Sequence, residues 1–258
     1  MHAAPTAQRI ASPAKTAPRV MAAQGGLRID AVLAHVARLT PDPTGVRRRL
    51  VVAAEACARL VAARQRLTLA LDVQQGIERL MQLAGGREQA RCQYLSEREA
   101  LLPHQGETRE RAAQAMVEWR DAGQAFTRAT HLLPTQLSHD ITQAPALNPG
   151  ERQALMQAYV RSGSPAQAGD FVEALGRYAA AHRRCEDAID LALTARSARL
   201  KAESDLRTGQ SSLLSVANAW LAELAGVDAL LVAEARRGAV HGALRVLSGD
   251  ILHQASCE

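Results

Sequence analysis

DFVEALGRYAAAHRRCEDAIDLALTARSARL (residues 170–200) carries the reading that decides the fold. Phe171, Leu175, Tyr178, His182, Cys185, Ile189, Ala192, Arg196 and Arg199 follow one another in alternating steps of four and three. That is a repeat of about 3.5 residues, the period at which helices wind around one another in coiled coils. Asp170, with Glu173 three residues on, supplies a helix start, and Gly209 supplies a left-handed stop. Ser211 or Ser212 then caps a return helix whose seam reads Leu213, Ala217, Trp220, Leu224, Val227 and Leu231 and which ends near Leu247–Gly249. So short a turn makes the two arms antiparallel, each reaching ~55 Å at about 1.5 Å per residue. Residues 170–250 are expected to form one long α-hairpin, followed by a tail over 251–258.

The upstream half reads in the same way. A short amphipathic helix is expected over Leu27 to Leu39, stopped by Pro41 and Pro43. Asp42 and Pro43 then form the cap and first turn of a long helix. Its apolar stripe is Leu50, Cys57, Leu60, Val61, Leu67, Leu71, Ile77, Leu80 and Met81, interrupted at Gly85-Gly86. A break near Tyr94–Glu97 precedes a return helix to Leu133, dented by Pro103 and Gly106 and ended by Pro134. The return arms starting at Ser96 and Ser211 are nearly equal in length, so the chain looks like a repeated hairpin. Residues 27–133 form the first unit and 134–169 a linker, in which Asn148, Pro149 and Glu151 make a capping box for a short helix. The expected fold is all-α: two long antiparallel α-hairpins in a coiled-coil-like four-helix arrangement, behind a disordered basic tail over 1–26.

Composition narrows the function classes. The chain has 258 residues, 47% of them hydrophobic and only 3% aromatic. That poverty in aromatics excludes the girdles of an outer-membrane β-barrel. No unbroken run of 18 apolar residues occurs, so no membrane-spanning helix is expected. The formal charge is +5, carried by 31 basic residues of which all but Lys15 and Lys201 are arginine. Acidic residues are interleaved with them almost throughout, unlike the one-sided basic face of a specific nucleic-acid binder. The densest run, Arg47-Arg48-Arg49, reads as a solvated helix end. Residues 1–26 lack the apolar core of a secretory signal.

Catalytic patterns are missing. The eight histidines have neither the HExxH nor the Glu-x-x-His spacing, and no glycine-rich phosphate loop follows a strand. Glu99, Glu107 and Glu110 alternate with Arg98, Arg109 and Arg111, which reads as a salt-bridged surface. Cys57, Cys92, Cys185 and Cys257 are too far apart for a metal cage and read as small apolar fillers or one chance disulfide. A non-enzymatic protein with no cofactor and no metal is expected.

The segment DLRTGQSSLLSVANAWLAELAGVDALLVAEARRGAVHGALRVLSGD (205–250) resembles the second helical hairpin of the TolC-like outer-membrane factors of efflux pumps and type I secretion. Gly209, Ser212, Leu214, Val216 and Ala219 match the tip, and Ala243-Leu244 through Gly249 match the close of the return helix. In ARCQYLSEREALLPHQ (90–105), Arg91, Ser96, Glu99 and Leu101 resemble the first tip. The chain departs from the family in having no visible signal peptide and no β-hairpins between the helical pairs. It also has Leu206 for the tip aromatic, Ser215 for the tip Asp, and Pro103 within a helix.

The resemblance implies an export component whose tips, Ser96, Glu99, Gly209, Gln210, Ser211, Ser212 and Leu213, dock a periplasmic adaptor. It implies a homo-oligomer, membrane association only through partners, and residence in the cell envelope. The alternative is a soluble scaffold or chaperone-like interaction protein of the bacterial cytoplasm, serving a secretion-apparatus component.

Overall fold

The computed structural model describes residues 27–40, 43–90, 95–138, 147–161 and 168–249, of which 91% are helical. The expectations for 1–26, for 251–258, for Cys92 and Cys257, and for the first hairpin's turn lie outside these residues. Six helices follow in order: α1 (Ile29–Arg38), α2 (Pro43–Ala90), α3 (Leu95–Thr130), α4 (Pro149–Arg161), α5 (Ala168–Thr208) and α6 (Leu213–Leu247). No strand occurs among the described residues beyond one bridge between Leu27 and Leu137.

The four long helices are two antiparallel hairpins, α2–α3 and α5–α6, as the seams predicted. They do not close into a square bundle. Helix α2 packs on α3 and on α6, and α6 packs on α5, so the order across the molecule is α3–α2–α6–α5. The row is one helix thick, with α3 and α5 at its edges. Helices α1 and α4 cover the end away from the turns. Leu33 and Val36 of α1 join Leu50, Ala54 and Val246, while Leu155 of α4 joins Phe171, Tyr178 and Leu244.

Small residues set the spacing inside this row. A β-carbon on Gly242 would fall 2.7 Å from the Ala54 β-carbon, and one on Gly226 would fall 3.3 Å from the Ala192 α-carbon. Trp220 of α6 occupies the space over Gly76 of α2, where an added β-carbon would meet the ring at 1.1 Å. Such contacts bring backbones close and leave the core thin, which is how a chain so poor in aromatics can still pack tightly.

Several expectations need correction. In α5 the buried positions are Phe171, Ala174, Tyr178, Ala181, Cys185, Ala188 and Ala192, whereas Ile189 is 36% exposed. The seam exists, but its alternate members are alanines and not Leu175, His182, Ile189 and Arg196. Gly85 and Gly86 lie within α2 and do not interrupt it, because the turn beneath them is anchored by fully buried Ala84. Leu71, assigned to the α2 stripe, is 38% exposed. Helix α3 ends at Thr130, where His131 turns left-handed (φ 59°), and not at Leu133. The start of the expected linker belongs to the core. Leu137 has no exposed surface and packs with Val32, Cys57, Leu60 and Phe126, while Leu27 donates to the Gln136 carbonyl.

Helix α5 starts at Ala168, with Asp170 in its first turn. Asn148 and Glu151 cap each other's backbone amides at 2.8 and 2.9 Å, as expected. Finally, α6 is long and apolar enough to cross a membrane by length and composition, with a window of mean hydropathy 1.5. Its alanines and glycines, scattered among polar residues, hid this from a search for unbroken runs. Here it lies between α2 and α5.

Candidate functional site

Both hairpins end on the same side of the molecule. Ile77, Leu80 and Ala84 of α2 and Leu101 of α3 share one core cluster with Leu213, Val216 and Ala217 of α6. His104 Nε2 lies 2.7 Å from Asn218 Oδ1, tying α3 to α6 near this end. A partner arriving at this end would meet elements of both hairpins together.

The second turn is built by local backbone chemistry. Gly209 adopts φ 76°, the Gln210 amide donates to the Asp205 carbonyl, and the Gly209 amide donates to the Leu206 carbonyl. This pair of bonds is a Schellman closure, which satisfies carbonyls the helix end would otherwise leave bare. Ser212 Oγ then accepts from the Ser215 amide at 3.1 Å and starts α6. Gly209, Gln210 and Ser212 are exposed, Ser211 is half-buried, and Glu99 is exposed on the first hairpin. Ser96 falls in the first turn of α3.

Leu213 is different. It has no exposed surface and sits in the core cluster with Leu101. Of the residues assigned to the tips, Glu99, Gly209, Gln210 and Ser212 are exposed and can meet a partner, whereas Leu213 is a core residue beneath them.

Beneath the second turn lies a polar knot. Arg199 on α5 pairs with Glu203 at 2.6 Å and with Glu223 of α6, and Trp220 Nε1 donates to Glu203 at 2.8 Å. The Arg199 guanidinium also lies 5.9 Å from the Trp220 ring centre. Burial opposes the Arg199 charge, but the bonds and charges of Glu203 and Glu223 prevail and hold its pKa up. The signal available in sequence was Arg199 and Glu203 four apart, a common helix-surface pair. Nothing in sequence placed Glu223 opposite. A second bridge spans three helices: Arg66 of α2 pairs with Glu118 of α3 and with Asp228 of α6.

No group of histidine, cysteine and carboxylate side chains able to hold a metal occurs among the described residues. Cys57 is fully buried and burial pushes its thiol up to about 12, so it stays a thiol and fills space. Cys185 is likewise free, buried, and raised by burial. The described residues define an all-α protein of two helical hairpins joined side by side, with a polar turn closing the second. No protein-family model matches the sequence, and no curated protein matches it.

Proposed function

We propose that this protein is a non-enzymatic helical component of an export system, of the outer-membrane-factor type, that docks a periplasmic adaptor through its hairpin tips. The observation that carries this reading is the shared end. Glu99 of one hairpin and Gln210 and Ser212 of the other are exposed above a core in which Leu101 and Leu213 join the two hairpins. Exposed groups from two hairpins above one shared core can present a single docking surface that needs no cofactor.

The edge helices support a homo-oligomer. Leu102 and Val117 on α3 and Leu193 and Leu200 on α5 are each at least half exposed, and apolar area left on the edges of a row favours contact with further copies. Membrane association comes only through partners in this reading.

The test replaces exposed tip groups that carry no backbone cap. Glu99→Arg and Gln210→Arg, separately and together, are expected to abolish adaptor crosslinking and export while leaving helicity and melting temperature at wild-type values. Full activity for the double variant would reject adaptor docking and favour the cytoplasmic scaffold, for which these changes are silent.

A further inference from the structure

At the opposite end of the row, a cavity of about 460 Å³ opens between α1, α2 and α3, lined by Arg48, Arg49, Arg128 and His131 together with Thr40 and apolar side chains. We propose that this corner is a binding site for a phosphate group, and this stands or falls independently of the export reading.

The argument begins with charge. Arg66, Arg111, Arg177, Arg199 and Arg245 each pair with a carboxylate. Among the described residues, no carboxylate lines this cavity or pairs with Arg48, Arg49 or Arg128. Two elements supply the cations: the start of α2, with Arg48 and Arg49, and the last turn of α3, with Arg128. Helix ends adjust the sum only slightly. The carbonyl ends of α1 and α3 bring about −0.5 each, and the amide end of α2, which has no acid in its first turn, about +0.5. Against three guanidiniums, a positive surplus of roughly two to three charges remains, close to what a phosphate dianion carries.

Hydrogen bonding points the same way. Arg49 Nη1 reaches Thr40 Oγ1 at 3.5 Å, and Thr40 donates onward to the Val36 carbonyl at 3.1 Å. Arg128 uses Nε on the Gln124 carbonyl at 3.4 Å. Each guanidinium has five N–H donors in a fork that fits phosphate oxygens, so most donors here are left for a ligand. The volume falls within the usual span of small-ligand sites. Val36 and Ala129 give it apolar wall, and exposed Leu39 and Val52 lie among the lining residues, where an acyl chain could follow a headgroup.

A phosphate group could come from a soluble anion or from a phospholipid headgroup, and the experiment separates them. Full-length protein is titrated calorimetrically with inorganic phosphate and pyrophosphate against chloride at matched ionic strength. It is also sedimented with phosphatidylglycerol and with phosphatidylcholine vesicles. Saturable phosphate or pyrophosphate binding is expected. Arg48→Gln/Arg128→Gln should weaken it at least tenfold, whereas Arg183→Gln/Arg184→Gln, the same charge change on the exposed face of α5, should leave it intact. Sedimentation with phosphatidylglycerol that added pyrophosphate reverses assigns a lipid headgroup; anion binding without sedimentation assigns a soluble ligand. A response to phosphate no greater than to chloride, or equal weakening in both variant pairs, overturns the site.

Discussion

Leu213 begins α6 one residue after an exposed turn, yet none of its surface is exposed. Distance along a hairpin from the body of the protein does not measure burial when a second hairpin ends alongside. Leu213→Asp puts a charge among Leu101, Ile77 and Val216 and is expected to cost several kcal/mol, on the order of 3 or more. Ser212→Ala loses only a cap and should cost about 1 kcal/mol. Urea unfolding of the two variants checks the order; equal losses would place Leu213 in solvent.

Several caps were readable from sequence: Asn148 with Glu151, Gly209, and Ser212 (one of two serines the sequence allowed) act within a few residues of chain, whereas Asp170, read as the start of α5, lies inside its first turn. Leu213 owes its burial to Ile77, Leu80 and Leu101 as well as to its own helix, and those three lie more than a hundred positions away, where no local pattern announces them.

His241 supplies a test by pH. Burial first, and then Arg245 and Arg237, hold its pKa below the ordinary 6.5, with Glu151 and Asp30 acting against them. The folded state thus binds this proton less readily than the unfolded chain does. Its contribution to stability is complete above the unfolded pKa of 6.5 and is lost as pH falls below it toward the folded value. Melting temperatures between pH 7.5 and 5 should fall less steeply in His241→Gln than in wild type, and parallel curves would contradict this.

At the scale of the element, α5 shows what periodicity can and cannot fix. Two phases of the same repeat share Phe171, Tyr178, Cys185, Ala192 and Arg199. They differ in whether Leu175, His182, Ile189 and Arg196 or Ala174, Ala181, Ala188 and Ala195 come between. Bulk argued for the first set; packing chose the second, because an alanine face lets α5 approach α6 until Gly226 meets the Ala192 backbone. Only the sequence of α6, read with the knowledge that its glycine faces α5, could have settled the phase.

The consequence is a reversal at adjacent residues. Ile189→Asp, at a 36% exposed site, should cost less than about 1 kcal/mol. Ala188→Leu overfills a buried alanine position and should cost about 1–3 kcal/mol. If the Ile189 change proves the more damaging in chemical denaturation, the bulky phase is the correct one.

For the molecule as a whole, two hairpins and an all-α class followed from seams, caps and turn lengths, each a local signal. The row α3–α2–α6–α5 did not, since equal arms fit a square bundle equally well. What decides it is α6, whose apolar and small residues run around more than one face. Leu224 meets the shared core, Gly226 meets α5, and Gly242 meets α2.

A helix clad on both sides makes the hairpins interdependent. Separating them would bare the Gly76 surface under Trp220, part the Arg66 bridge to Asp228, and open the cluster holding Leu101 and Leu213. The chain should therefore unfold as one unit. Trp119 is 37% exposed on α3, while Trp220 sits at the junction of α2 and α6, so Trp119→Phe leaves a single tryptophan, excited selectively at 295 nm, reporting on the contact between hairpins. In that variant, the Trp220 fluorescence transition in urea should coincide with loss of helicity by circular dichroism, with one midpoint and one slope. A fluorescence change that runs ahead of the helical signal would mean that the hairpins part before either melts, and that the row is an association of two independent units.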